Sequence, residues 1–390
     1  MKNNGLARVL LVHNAYRQRG GEDMVVEAEA ALLRQRGHAV EMYSRHNNDL
    51  GDMPRARAAI DTLWSRRTTS DLARLFASFR PDVMHVHNTF PLISPSAYWA
   101  AEAASTPVVQ TLHNFRLSCP QAMYLRDARV CEDCAGRLPL PAVVHACYRG
   151  SRAQTAVMVG MLGLHRALGT WRNKVTRYIA LNEFCRAKFI AGGLPERRIV
   201  VKPNFVDFEA PPAASRNGAL FAGRLSPEKG VRTLAAAQVL APAMPIRVAG
   251  TGPEEAFLRG VPGVELLGQL TAAEVRRRMC AAAVLVLPSI CYENFPRTLV
   301  EAFGCGLPVI ASRIGALAEL VENGVTGLLF APGDAADLAE KLRWANANPE
   351  QLAAMGRNAR KHYEANYTAA RNYQLLMDIY DDVLAEYKGA

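Results

Sequence analysis

Apolar residues in this chain gather in runs of four or five. Each run is followed by a polar or glycine-bearing loop and then by a stretch with apolar positions three and four apart. Short runs bounded by turn residues read as buried strands, and the spaced stretches as amphipathic helices. In the first half, Arg8–Val12, Ala39–Tyr43, Asp82–Val86, Val108–Thr111 and Tyr178–Leu181 are expected strands. In the second half they are Ala219–Ala222, Ile246–Ala249, Val264–Leu267, Ala283–Leu287, Pro308–Ala311 and Gly327–Phe330. Helices are expected over Glu22–Arg36, around Arg55–Phe79 and Pro95–Ala104, and over Val231–Leu240 and Thr271–Ala282. The last opens with a Thr271/Glu274 capping box. Strands alternating with helices favour parallel, doubly wound sheets, which bind ligands at the carboxyl ends of their strands.

At 390 residues the chain can build two domains, and half of its residues are apolar. Pro203, Pro211 and Pro212 crowd into Lys202–Arg216, which places the boundary there. The domains are then 1–205 and 206–368, with a last helix over 369–390. Residues 1–205 hold 28 Lys/Arg against 16 Asp/Glu, and residues 206–390 hold 18 against 20. No acid occurs between Asp133 and Glu183, whereas Arg137, Arg149, Arg152, Arg166, Arg172, Lys174 and Arg177 do. They flank an apolar helical segment, Ala153–Leu168. This fits either a helix packed into the first domain with solvated ends or a face for an anionic membrane surface. Basic stripes interleaved with aromatics are missing, so nucleic acid is not an expected partner. The start of the chain is too short in apolar residues for a signal peptide, and no window approaches 18 apolar residues. A cytoplasmic chain, peripheral on the inner face of the membrane if it touches lipid, is expected.

Candidate chemistry concentrates in the second half. Glu293 and Glu301 lie eight positions apart, across a loop at the end of Ala283–Leu287 and into a helix that Pro296 suits as a start. Amides between the two acids, from Asn294 and Phe295 to Leu299 and Val300, are placed to meet an anion such as a diphosphate. The acids beside it are placed to grip sugar hydroxyls. The loop Gly223-Arg-Leu-Ser-Pro-Glu-Lys-Gly230 supplies Arg224 and Lys229, which can neutralise a diphosphate. Gly250 and Gly252 end the next strand, and Leu270 the one after; small residues there let a nucleotide approach the backbone. No Gly-x-Gly-x-x-Gly follows the first strand, which counts against a dehydrogenase.

The segment from Ser289 to Ser312 resembles the Glu–seven residues–Glu motif of the retaining glycosyltransferases of family four, which have the GT-B fold. The similarity runs over nearly the whole chain. It departs at Asn294-Phe295-Pro296, where the family commonly has Gly-Phe-Gly. The resemblance implies two Rossmann-like domains facing across a cleft, with the last helix returning to the first domain. It implies that Glu293 approaches the donor sugar, that Glu301 binds the ribose, and that Arg224 and Lys229 contact the diphosphate. The region of Gly250, Gly252 and Leu270 would pack against the base. In the first domain, Gly20 and Gly21 would cover the donor phosphates and His113 would reach the transferred sugar. An imidazole there can donate a hydrogen bond or stabilise developing charge. His85 and His87 either line an acceptor pocket or simply pack. The expected activity is retaining transfer of a hexose from a nucleoside diphosphate sugar to a saccharide or lipid-linked acceptor, in surface polysaccharide synthesis. A nucleotide-sugar epimerase and a non-catalytic binding protein on the same scaffold are the rival readings.

Eight cysteines in a cytoplasmic chain point to thiols or metal rather than disulfides. Cys119, Cys131, Cys134 and Cys147 fall in the irregular stretch 115–150, and a Cys-x-x-Cys with two outlying cysteines suits structural zinc. Reduced thiols without a metal are the alternative. There is no Asp-x-Asp, so no catalytic metal cofactor is expected.

Overall fold

The structure, a computed structural model, describes residues 6–207 and 216–388; Pro211 and Pro212 of the expected linker lie outside them. Two units emerge. The first comprises residues 1–122, 132–203 and 372–390, and the second residues 123–131 and 204–371.

In the first unit β1 (Arg8–Ala15), β2 (Ala39–His46), β3 (Val83–Asn88) and β4 (Val108–Thr111) precede a two-stranded hairpin, β5 (Leu125–Arg126) and β6 (Arg129–Val130). After it come β7 (Arg177–Ala180) and β8 (Ile199–Val201). The hairpin is grouped with the second unit. The remaining six strands form one sheet, in order β2-β1-β3-β4-β7-β8, and every pairing in it is parallel. All of β3 is buried, as expected for a strand covered on both faces. One face packs Val9, Leu11, Val83, Val109 and Ile179 against Ala30 and Leu33 of the helix Gly21–Gln35 and Leu376, Tyr380 and Val383 of the final helix, Ala369–Lys388.

The helical stretch expected around Arg55–Phe79 is two helices, Arg55–Leu63 and Arg66–Phe79. Trp64 is extended between them, and the Ser65 hydroxyl accepts the Thr68 N–H at 3.3 Å to cap the second. A serine that can satisfy an otherwise unpaired amide starts a new helix rather than continuing the old one. The apolar segment of the acid-free window is the helix Arg152–Ala167, whose Thr155, Met158, Val159, Met161, Leu162 and His165 are buried. His165 is bonded through Nε2 to the Leu63 carbonyl at 2.8 Å. This helix therefore packs into its unit. Its other side leaves Leu164 and Leu168 exposed, as are Leu138, Leu140 and Val144 nearby in the chain. No helix among the described residues is long and apolar enough to cross a membrane.

In the second unit β9 (Ala219–Ala222), β10 (Ile246–Ala249), β11 (Val264–Gly268), β12 (Val284–Leu287), β13 (Val309–Ser312) and β14 (Gly327–Phe330) form a sheet in order β11-β10-β9-β12-β13-β14, again with parallel pairing. Its core joins Phe221, Val248, Val286 and Ile310 to Leu234 of the helix Val231–Leu240 and Leu338 of the helix Ala335–Ala347. The helix Ala272–Ala281 begins with the expected capping box on Thr271 and Glu274.

Candidate functional site

Strand order in the second sheet reverses between β9 and β12, and doubly wound sheets bind ligands at the carboxyl ends of the strands where they switch direction. The loops leaving those two strands carry Arg224 to Gly230 and Pro288 to Pro296. They are stitched together by the Ile290 N–H, which donates to the Glu228 carbonyl at 2.9 Å. Lys229 Nζ lies 2.6 Å from Glu293 Oε1, and the Ser289 hydroxyl donates to the same oxygen at 2.7 Å. Among the described residues nothing engages Glu293 Oε2. Burial alone would raise the Glu293 carboxyl, but the Lys229 ammonium and the bonds from Lys229 and Ser289 hold it below its ordinary value. Burial likewise pushes Lys229 down, and Glu293 outweighs it, so the amine stays protonated. Arg224 is exposed, and its guanidinium has no partner among the described residues. The site thus keeps one uncommitted cation, a second cation on a carboxylate, and a spare carboxylate oxygen.

Pro296 stands immediately before the helix Arg297–Gly304 as its cap, one position earlier than a first-turn proline. Glu301 lies within that helix and accepts from Arg297 Nε at 2.9 Å. Leu299 and Val300 have fully buried side chains, so only their backbone can meet a ligand, and the Leu299 N–H already donates to the Pro296 carbonyl at 3.0 Å. Asn294 is buried, and Phe295 stands edge-on to Tyr367 with ring centroids 5.8 Å apart. Leu270, half-buried, precedes the Thr271 cap. Gly250 and Gly252 are required by the backbone itself. A Cβ on Gly250, at φ +140°, would stand 1.9 Å from the Gly223 carbonyl oxygen, and one on Gly252 2.2 Å from that of Leu225. That requirement holds with or without a ligand.

In the first unit the sheet order reverses about β1 and β3. Gly20 and Gly21 follow β1, where Asp23 organises the turn. Its Oδ2 accepts the Gly20 N–H at 2.7 Å, and its Oδ1 accepts the Tyr16 N–H at 3.3 Å and lies 2.8 Å from His13 Nε2. A side chain on Gly21 would meet nothing within 4 Å, so this end of the turn is open. His113 follows β4, and its Nε2 lies 2.9 Å from His87 Nδ1. His85 and His87 are 0% and 3% exposed and sit against Glu29. They pack, and the acceptor-pocket alternative for them falls away.

Sequence reasoning missed Ser289, Glu22 and Glu29. Glu22 accepts from the Tyr16 hydroxyl at 2.9 Å and from Asn114 Nδ2 at 3.3 Å, tying the loop after β1 to the loop after β4. Burial raises its carboxyl above the ordinary value. An acid in a first helical turn is too common to have signalled this. None of the eight cysteines is in a disulfide; Cys119 and Cys134 are buried, Cys131 and Cys147 half-buried. Cys131 falls in the second unit and the other three of that set in the first.

The model of Glycosyltransferase Family 4 matches residues 19–210, and that of Glycosyl transferases group 1 matches residues 216–348. The chain belongs to this glycosyltransferase family. Among curated relatives, the glycosyltransferase is 37% identical over 109 residues to a D-inositol 3-phosphate glycosyltransferase of Saccharomonospora viridis, covering 28% of this chain and 25% of the relative. It is 28% identical over 312 residues to a glycogen synthase of Mycobacterium tuberculosis, covering 74% of this chain and 66% of the relative. The chain thus spans from about a quarter to about two thirds of the length of these relatives. In fold, the glycosyltransferase matches Anabaena HepE, solved in complex with UDP, with a TM-score of 0.67 at 18% identity, covering 95% of this chain and 99% of that one. Its two Rossmann-like units are those of the GT-B fold.

Proposed function

We propose that this glycosyltransferase moves a hexose, with retention at the anomeric carbon, from a nucleoside diphosphate sugar to a hydroxyl of a saccharide or lipid-linked acceptor in surface polysaccharide synthesis. The observation that carries the reading is the Lys229–Glu293 contact between the loops that leave β9 and β12, at the switch point of the sheet, with Arg224 exposed on the same loop as Lys229. Two cations there stabilise the diphosphate as it departs, and charge that develops in a site already organised for it lowers the barrier most. Glu293 Oε2 accepts from a hydroxyl of the donor sugar, and Glu301 from the ribose. The departing phosphate oxygen takes the acceptor's proton, so no protein nucleophile is required. HepE was solved with UDP, which makes uridine donors the first to try.

The acceptor is held at a membrane surface. Exposed Leu138, Leu140, Val144, Leu164 and Leu168 stand among the exposed Arg137, Arg149, Arg152, Arg166 and Arg172, a composition suited to anionic lipid. Structural zinc on Cys119, Cys131, Cys134 and Cys147 is a separate proposal from their spacing, tested by the metal content of the purified chain: one zinc per chain supports it and none refutes it.

The transfer reading is tested by incubating the chain with uridine and guanosine diphosphate hexoses and following diphosphate release and the anomeric configuration of the product. Release that is lost in Arg224→Ala and Lys229→Ala, with an axial donor giving an axial product, is expected. No release from any donor, or inversion, contradicts it.

A further inference from the structure

His113 does not stand alone. Its Nε2 is 2.9 Å from His87 Nδ1, and on the far side of that ring His87 Nε2 is 3.3 Å from Glu29 Oε1. Glu29 is 1% exposed; its other oxygen lies 3.2 Å from the Nζ of Lys202, itself 1% exposed and bonded to Asn372 at 3.0 Å. His85 completes the cluster. Its Nδ1 is 3.0 Å from Glu29 Oε1 and 2.7 Å from the Tyr380 hydroxyl, and its Nε2 is 2.8 Å from the Thr111 hydroxyl. The ring of His13 stands edge-on to His87.

Proton positions follow from chemistry. Burial would raise Glu29, but the Lys202 ammonium and the neighbouring histidines hold it well below the ordinary carboxyl value, so it is a carboxylate and can only accept. His87 Nε2 faces it at 3.3 Å without the alignment of a hydrogen bond, and it is the better seat for the ring's hydrogen because a bare nitrogen there would set its lone pair against the carboxylate. Burial lowers His87 to about 4, so its other nitrogen, Nδ1, is bare. A bare Nδ1 needs a donor, and His113 Nε2–H is that donor. Burial also holds His113 well below its ordinary value, and a neutral ring with hydrogen on Nε2 has a lone pair on Nδ1. No described residue engages that atom, and His113 is only half-buried.

We propose that Glu29 and His87 are positioning residues that lock His113 as the Nε2–H tautomer, so that its Nδ1 accepts a hydrogen bond from a hydroxyl of the sugar substrate. This replaces the expectation that the ring donates or carries positive charge. Its catalytic consequence rests on the transfer reading, but the tautomer itself does not.

Long-range proton–nitrogen correlation spectra of the full chain labelled with nitrogen-15 histidine test it, with His113 assigned by its disappearance in His113→Gln. A bare Nδ1 and a protonated Nε2 on His113, with a protonated Nε2 on His87, are expected from pH 8 down to about 5. Glu29→Gln can present an amide donor to His87, and should reverse both tautomers and slow hydrolysis of UDP-glucose by about tenfold, the effect of one lost hydrogen bond. Glu29→Asp keeps the carboxylate and should restore both readouts. A protonated Nδ1 on His113, titration of His113 near the ordinary value of about 6.5, or a His87 Nε2 without hydrogen, as metal bound among Glu29, His85 and His87 would leave it, overturns the proposal. The wild-type spectrum decides even if the Glu29 variants fail to fold. Locked tautomers in a chain that consumes no nucleotide sugar sustain this proposal and refute only the transfer reading.

Discussion

Removing the Lys229 side-chain charge should destabilise the second unit by an amount that depends on pH. In Lys229→Met, Glu293 keeps its place beside β12 but loses the ammonium 2.6 Å away. Two unit charges about 4 Å apart attract by about 4 kcal/mol at an effective dielectric of about 20. Solvent reaches the pair, since 32% of the Lys229 side chain and 14% of that of Glu293 are exposed. The loss therefore falls between the ~1 kcal/mol of an exposed pair and the ~3–5 kcal/mol of a broken buried one, at about 2 kcal/mol. The bond from Ser289 survives and limits the damage. The Glu293 pKa is depressed in the folded state, so its contribution is complete above the unfolded carboxyl value of about 4.3 and is lost as pH falls through the folded value. Without Lys229 that protonation moves to higher pH. Urea unfolding of wild type, Lys229→Met, Glu293→Gln and the double variant, at pH 7 and in steps below pH 5, measures the coupling. The gap between wild type and Lys229→Met should be full at pH 7 and close as acid neutralises Glu293. The reasoning fails if the two are equally stable at pH 7, or if the gap ignores acid.

Three further outcomes follow. Gly250→Ala forces a Cβ to 1.9 Å from the Gly223 carbonyl at positive φ, and should cost more than about 3 kcal/mol in urea unfolding; near-neutral stability would contradict the close approach. Thr271→Ala removes an N-cap whose hydroxyl accepts the Glu274 N–H at 3.3 Å, and should cost about 1 kcal/mol with UDP-glucose hydrolysis unchanged. Flotation with vesicles containing anionic lipid should carry the wild type at low salt and release Arg149→Glu/Arg152→Glu; equal flotation of both would remove the membrane face from the account.

Much of the fold was legible because central parallel strands announce themselves. Ala219–Ala222 is an apolar run buried throughout, Val108–Thr111 is buried throughout although it carries Gln110 and Thr111, and Ile246–Ala249 is buried save for Arg247; the observed bounds of all three are the expected ones. By contrast β8 was invisible. It has three residues and follows Arg197 and Arg198, too little to rise above loop. The helical period carried through Trp64 and Ser65, and only the local bond from Thr68 to Ser65 shows why the chain breaks there. Candidate site loops could be read because doubly wound sheets place ligands at strand ends. Pairings within them could not, since the Lys229–Glu293 contact spans 64 positions and no local pattern encodes it. The histidine cluster was half legible. Alternation puts His85 and His87 on one face of β3, but their partner Glu29 looks like any surface acid of an amphipathic helix until Lys202 is seen against it.

Calorimetric titration of UDP-glucose and UDP into the wild type and Arg224→Ala tests the central claim most directly, because Arg224 is the uncommitted cation at the β9/β12 switch point. Micromolar to millimolar binding by the wild type, weakened at least about tenfold in Arg224→Ala by loss of a charge-assisted bond to phosphate, is the predicted result. Equal affinity in both proteins would place the diphosphate elsewhere and contradict the account.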